Sequence, residues 1–127
     1  MHRLTIKTHK KREVIDITQK LEAILWKHYA DKTGICHLNL LHTTAALTTA
    51  DLDMLDAFEI MVPKLDYRHE HNPEHVPDHI LSAMIGTSAS LAVEAGLLLL
   101  GTWQRVVLVE LDGPRERELV MSLAETV

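Results

Sequence analysis

Polarity alternates over residues 3–9 and again over 13–17, with Lys10-Lys11-Arg12 between them, and this period of two predicts an N-terminal β-hairpin. The period then changes. Thr18 offers an N-cap, and Leu21, Ile24, Leu25 and Tyr29 follow at helical spacing until Asp31-Lys32-Thr33-Gly34 ends the helix. Residues 35–41 predict a buried strand with Cys36, Leu38 and Leu40 on one face, and the period of two carries that face on to His42. A second helix is predicted over 52–62, with Asp51 as a cap and Pro63 just past its end.

From Pro63 to Pro77 the pattern disappears. The segment is polar, carries three prolines and has no period, which predicts a long loop, and loops of this length in a compact domain are often functional. Asp78 caps a short helix from His79 to Ile85, closed by Gly86. Beyond it, 88–93, 97–100, 106–111 and 119–123 are successive strand candidates separated by turns at 94–96 and 112–115. Strands outnumber helices and are mostly joined by short turns, so the expected class is α+β with mainly antiparallel sheet. The chain has no internal repeat and no dividing linker, and reads as one domain over 1–127.

Composition narrows the picture. Hydrophobic residues make up 46% and charged residues 24% of 127, a globular balance, while aromatics at 4% leave the core to aliphatic side chains. The single cysteine, Cys36, has no partner in the chain, which fits a reducing cytoplasmic location. No stretch resembles a signal peptide or a membrane span. A net charge of −5 argues against nucleic acid as the main partner, and Lys7-Thr8-His9-Lys10-Lys11-Arg12 reads as a charged turn.

Histidine changes the picture most. Five of the nine lie between residues 42 and 79. His42 at a strand end, His69 in the polar loop and His79 at a helix start can converge, and three imidazoles are a common divalent-metal set with Asp51 and Asp78 nearby in sequence. Spacing alone favours the plainer reading of surface histidines in a polar loop, with His42 hydrogen-bonded at a strand end. No nucleophile elbow is present, and Cys36 lies mid-strand, where a thiol is usually inert. Two segments, His42-Thr43-Thr44 and Gly86-Thr87-Ser88, offer hydroxyls and backbone N–H groups suited to phosphate. Trp103 and Gln104 either finish the core or wall a pocket for a flat ring.

Five motifs occur in order: His42-Thr43-Thr44-Ala45-Ala46-Leu47-Thr48, Tyr67-Arg68-His69, Asp78-His79, Gly101-Thr102-Trp103-Gln104, and Glu110-Leu111-Asp112-Gly113-Pro114-Arg115. Over essentially the whole chain this series resembles the YjbQ-like family, small proteins of unassigned primary function with a secondary thiamine-phosphate synthase activity. The resemblance implies an α+β fold, a mainly antiparallel two-sheet β-sandwich with two longer helices and one short helix, assembled as a homotrimer. It places the site on His42, His69, Asp78 and His79. Aspartate and histidine are adjacent here where the family spaces them, and Ala50-Asp51 stands where the family carries Asn-Glu.

The expectation is therefore a small-metabolite enzyme with a phosphate-recognising, metal-assisted pocket and thiamine-phosphate synthase-like transferase chemistry. His42, His69 and His79, with Asp51 beside them, would hold a divalent metal ion, zinc being the first candidate among several. Thr43, Thr44, Arg68, Thr87 and Ser88 would receive phosphate, Trp103 and Gln104 would wall the ring, and Asp78 would join the catalytic set. The partner would be a phosphorylated or anionic small molecule, with no membrane partner. The alternative is a non-catalytic trimeric metal- or metabolite-binding protein.

Overall fold

The structure, a computed structural model, describes residues 1–50 and 76–126. The helix predicted over 52–62 and all but the end of the predicted polar loop lie outside the described residues. The elements run β1 (His2–Lys7), β2 (Glu13–Asp16), α1 (Thr18–Tyr29), β3 (Gly34–Leu40), β4 (Ala45–Ala50), α2 (Val76–Ile85), β5 (Ser88–Glu94), β6 (Leu97–Leu98), β7 (Arg105–Glu110) and β8 (Glu116–Glu125). They form a five-stranded sheet, β1-β8-β3-β5-β6, and a three-stranded sheet, β2-β7-β4. Every pairing in both sheets is antiparallel. The two-sheet α+β architecture is the one expected.

The N-terminal hairpin is a correction. Both alternating segments are strands, but β1 pairs with β8 and β2 pairs with β7, in different sheets. Alternation shows that a segment has one face to bury and does not name its partner. Residues 8–12 carry the chain between the sheets, fixed where Thr8 N–H donates to the Arg115 carbonyl at 2.8 Å and Gly113 N–H to that of Lys11 at 2.9 Å.

Thr18 is also corrected. It is the first residue of α1, not its cap, because its buried hydroxyl is engaged by β7, accepting the Val106 N–H at 2.9 Å. Asp16 serves the helix start instead, its Oδ1 accepting the Thr18 N–H at 2.9 Å.

Two apolar layers hold the fold together. In the first, Leu4, Ile6, Cys36, Leu38, Leu119 and Met121 of the larger sheet meet Ala45, Leu47, Val106 and Leu108 of the smaller one, with Leu21 and Leu25 of α1 closing the layer. In the second, Ala46, Ala50, Val107 and Val109 on the opposite face of the small sheet are covered by Leu81, with Ile80 and Ile85 packed against them. Strand β4, which the pattern did not predict, lies between these layers. Apolar on both faces and rich in alanine, it has neither the alternation nor the β-branched density that marks a half-exposed strand. Among the described residues no helix is long and apolar enough to cross a membrane.

Candidate functional site

The short helix α2 positions one wall of the site. It starts before Asp78, and that carboxylate is not a simple cap: it is buried and ion-paired with Arg12, Nη2 to Oδ1 at 2.6 Å. Ser82 Oγ donates to the Ala45 carbonyl at 2.7 Å, fastening α2 to β4. Gly86, at φ +105°, ends the helix in a conformation that glycine adopts readily, its N–H received by the Ser82 carbonyl at 2.9 Å. Residues 86–87 then bridge both sheets, because Leu47 N–H of β4 donates to the Gly86 carbonyl at 2.9 Å and Leu40 N–H of β3 to that of Thr87 at 2.7 Å.

The other wall is the end of β3. Leu41 N–H donates to the Glu118 carbonyl at 3.1 Å, extending the β3–β8 register by one residue. The Glu118 N–H donates to His42 Nε2 at 2.9 Å. An imidazole thus ends the ladder where a backbone carbonyl would ordinarily accept. Since an amide N–H can only donate, Nε2 is the unprotonated nitrogen and the neutral ring carries its proton on Nδ1. Burial, first, and the nearby Arg117 and Arg115 guanidiniums lower the His42 pKa, against the opposing pull of Glu110 and Glu118.

Beneath His42 lies a buried ion pair. Glu110 is 0% and Arg117 1% exposed. Arg117 Nε reaches the Glu110 carboxylate at 2.9 and 3.1 Å, and Nη2 reaches it at 2.5 Å. Thr8 Oγ1 donates to the same carboxylate at 2.6 Å, and the N–H groups of Leu111 and Asp112 donate at 3.0 and 3.2 Å. Arg117 Nη2 also donates to the Thr44 carbonyl and hydroxyl at 3.0 and 2.9 Å. Burial alone would push the Glu110 carboxyl up. The hydrogen bonds from Arg117, Thr8 and the Asp112 amide, together with the Arg117 charge, outweigh it and hold the pKa below the ordinary value.

Between the two walls lies an open pocket of about 560 Å³, within the usual range for small-molecule sites. Leu40, Leu41 and Ala83 are its apolar lining, and His42, Thr43, His79, Ser82 and Thr87 its polar lining. Four residues singled out in the sequence, His42, Thr43, His79 and Thr87, therefore meet here. Thr44 and Asp78 are not in the lining: Thr44 is engaged by Arg117 and Asp78 by Arg12. Ser88 opens β5 opposite Asn39 and is exposed. Trp103 is 81% exposed in a tight turn closed by Gln104, whose Oε1 accepts the Gly101 N–H at 2.8 Å, and neither residue is in the lining. His69, Arg68 and Asp51 lie outside the described residues.

Sequence reasoning gave no role to Arg12, Ser82, Glu110 or Arg117, although Glu110 opens one of the five motifs. One signal was available for Arg117, which shares the parity of the inward-facing Leu119 and Met121, so period two aims its guanidinium into the core. Cys36 is fully buried and its thiol is pushed up to about 11 by burial, so it has no nucleophilic role.

A metal centre can be tested against this geometry. Among the described residues no three histidine, cysteine or acidic side chains are grouped to hold a metal ion. His42 as it stands does not fit a ligand: one ring nitrogen accepts the Glu118 amide and the other carries the proton.

The family whose description reads "UPF0047 protein YjbQ-like" matches residues 2–126. The chain belongs to the YjbQ-like family. A UPF0047 protein of Archaeoglobus fulgidus is 34% identical over 125 residues, covering 93% of this chain and 96% of that protein. The UPF0047 protein YugU of Bacillus subtilis is 38% identical over 121 residues, covering 90% of this chain and 91% of that protein. A crystal structure of a YjbQ/UPF0047 protein from Clostridium acetobutylicum superposes with a TM-score of 0.85 at 29% identity, covering 98% of this chain and all of that one. The conserved hypothetical protein TT1486 of Thermus thermophilus gives 0.84 at 32% identity, with 98% and 100% coverage. Membership of the YjbQ-like family accounts for the fold and names no function.

Proposed function

We propose that this YjbQ-like protein is a small-metabolite enzyme whose pocket between β3 and α2 recognises a phosphorylated or anionic substrate, with a thiamine-phosphate synthase-like transfer among its activities. The observation that carries the reading is the meeting of His42, Thr43, His79 and Thr87 in one pocket. In such a transfer the carbon–oxygen bond to pyrophosphate breaks with its electron pair. The thiazole nitrogen then gives its lone pair to that carbon. Pyrophosphate departure is eased by hydrogen-bond donors that meet the growing charge, a role for the Thr43 and Thr87 hydroxyls and the imidazole N–H groups. Leu40, Leu41 and Ala83 offer apolar surface to a ring. A divalent cation, zinc first among candidates, would be held by His69, His79 and Asp51.

One observation favours the non-catalytic alternative. Among the described lining residues no carboxylate is present, and the His42 Nε2 lone pair accepts the Glu118 N–H, so proton transfer in the described lining would fall to His79 alone. Turnover decides between the two. A strain lacking thiamine-phosphate synthase should grow without thiamine when supplied with this protein, and lose growth with the double variant Thr43→Val, Thr87→Val or with His79→Ala. Rescue that survives all of these, at equal protein levels, refutes the pocket as the reaction site. A homotrimer is part of the same proposal, supported by the exposed apolar Leu97, Leu99 and Trp103 on a single chain. Sedimentation should give the mass of three chains, and a monomer at micromolar concentration would refute it.

A further inference from the structure

The site already described leaves one question that its geometry answers: what His42 offers a ligand. His42 lines the pocket, yet its ring Nε2 accepts the N–H of Glu118 at 2.9 Å. That amide belongs to β8, and its own carbonyl accepts the Leu41 N–H at 3.1 Å, so backbone and imidazole together complete one ladder rung. Turning the ring to free Nε2 would leave a β-strand N–H without an acceptor, at the cost of a hydrogen bond and of desolvation. The ring is thereby fixed in orientation and in tautomer. The polar group that the ring has left to offer is the Nδ1–H.

Arg117 supports the arrangement from below. Its guanidinium is tied to Glu110 and to Thr44, which stands two residues after His42. The chain from His42 to Thr44 is thus held at both ends, by Glu118 and by Arg117. His79 is the second imidazole of the described lining, and the remaining polar groups there are hydroxyls. Ser82 has spent its proton on the Ala45 carbonyl. Thr43 and Thr87 supply hydroxyls, and no lysine or arginine is in the described lining.

We propose that His42 is a specificity-determining, neutral hydrogen-bond donor that reads an acceptor oxygen of a phosphorylated ligand through Nδ1–H, and is neither a metal ligand nor a proton acceptor. This rests on the pocket reading given above and adds the class of group recognised: a phosphate or pyrophosphate oxygen met by neutral donors, not an amine or a hydroxyl proton seeking an acceptor.

Long-range proton–nitrogen correlation spectra of the full-length, nitrogen-15-labelled protein, washed with EDTA and titrated with inorganic pyrophosphate, test it. The His42 ring should show the proton on Nδ1, the less common tautomer of a free imidazole, and pyrophosphate should move the Nδ1–H resonance. Added zinc should leave the His42 Nε2 signal in place. His42→Gln, whose side-chain oxygen can accept the Glu118 amide while its NH2 donates, should keep pyrophosphate affinity within about threefold. His42→Ala should lose roughly tenfold or more, the range for one hydrogen bond to a charged acceptor. A ring protonated on Nε2, a zinc-shifted Nε2 signal, or a Gln variant that loses as much as Ala overturns the inference and leaves the pocket reading standing. A wild-type protein that shows no response to pyrophosphate overturns both. Should the Ala variant fail to fold, the tautomer and the Gln variant still decide.

Discussion

Replacing Glu110 by glutamine isolates the energetic centre beneath the pocket. The change is nearly isosteric, so packing is preserved and charge is removed. The carboxylate accepts from the Thr8 hydroxyl, from Nε and Nη2 of Arg117, and from the Leu111 and Asp112 amides. A glutamine can keep one oxygen among these donors. Its NH2 must then face others, and Arg117 is left as a buried charge at 1% exposure. Removing one member of a buried pair costs about 3–5 kcal/mol, which for a domain of this size lowers Tm by roughly 10–20 °C. Urea denaturation of wild type and variant measures the difference directly. The exposed Arg3–Glu118 pair supplies the control, because Arg3→Ala should cost under about 1 kcal/mol. The sign of the pH dependence is fixed as well. Because the fold lowers the Glu110 pKa, its stabilisation is complete above the ordinary carboxylate range and is lost as pH falls through the lowered value. The gap between the two proteins should therefore narrow in acid. A Glu110→Gln variant within about 1 kcal/mol of wild type at neutral pH would refute the assignment of this pair as a buried, paired charge.

Other consequences are as direct. Leu81→Ala should cost about 2–5 kcal/mol, since Leu81 covers the outer face of the small sheet, and hydrogen exchange should rise first in α2; unchanged exchange there would contradict the packing. Cys36 should resist alkylation by iodoacetamide in the native protein at about pH 8 and react once urea unfolds it, and rapid native labelling would place it outside the core. His42, whose pKa the fold lowers, contributes stability that is present above about pH 6.5 and lost as pH falls through the lowered value. His42→Gln should lack that acid step, and a step that persists in the variant belongs to another group.

How far the sequence reaches is clearest in particular strands. The parity of Cys36, Leu38 and Leu40 predicted a buried face, and all three are buried, because β3 has one wet face and one dry one. The same logic misassigned β1 and β2 as partners, since each alternates properly while burying its face against a different neighbour. Strand β4 escaped for the opposite reason, since Ala45 and Leu47 on one face and Ala46 and Ala50 on the other are all buried. At the site, His42, Thr43, His79 and Thr87 were legible from residue type and motif. The roles of Thr44 and Asp78 were not, because each is set by an arginine distant in sequence, Arg117 for the one and Arg12 for the other. Long-range charge pairing leaves no local period to detect.

A side chain that completes a β-ladder is subject to two selections at once. Whatever replaces His42 must both accept a strand amide and present something useful to the ligand, so variation at this position is filtered by architecture before it is filtered by chemistry. Among ordinary side chains few can do both. Divergence of function in such a protein would be expected to proceed through the opposite wall, on α2, whose apolar contacts to the sheet run through Leu81, Ile80 and Ile85 and not through the lining His79 and Ala83. The two sides of the pocket would then age at different rates, one tied to the inheritance of the fold and the other free to drift.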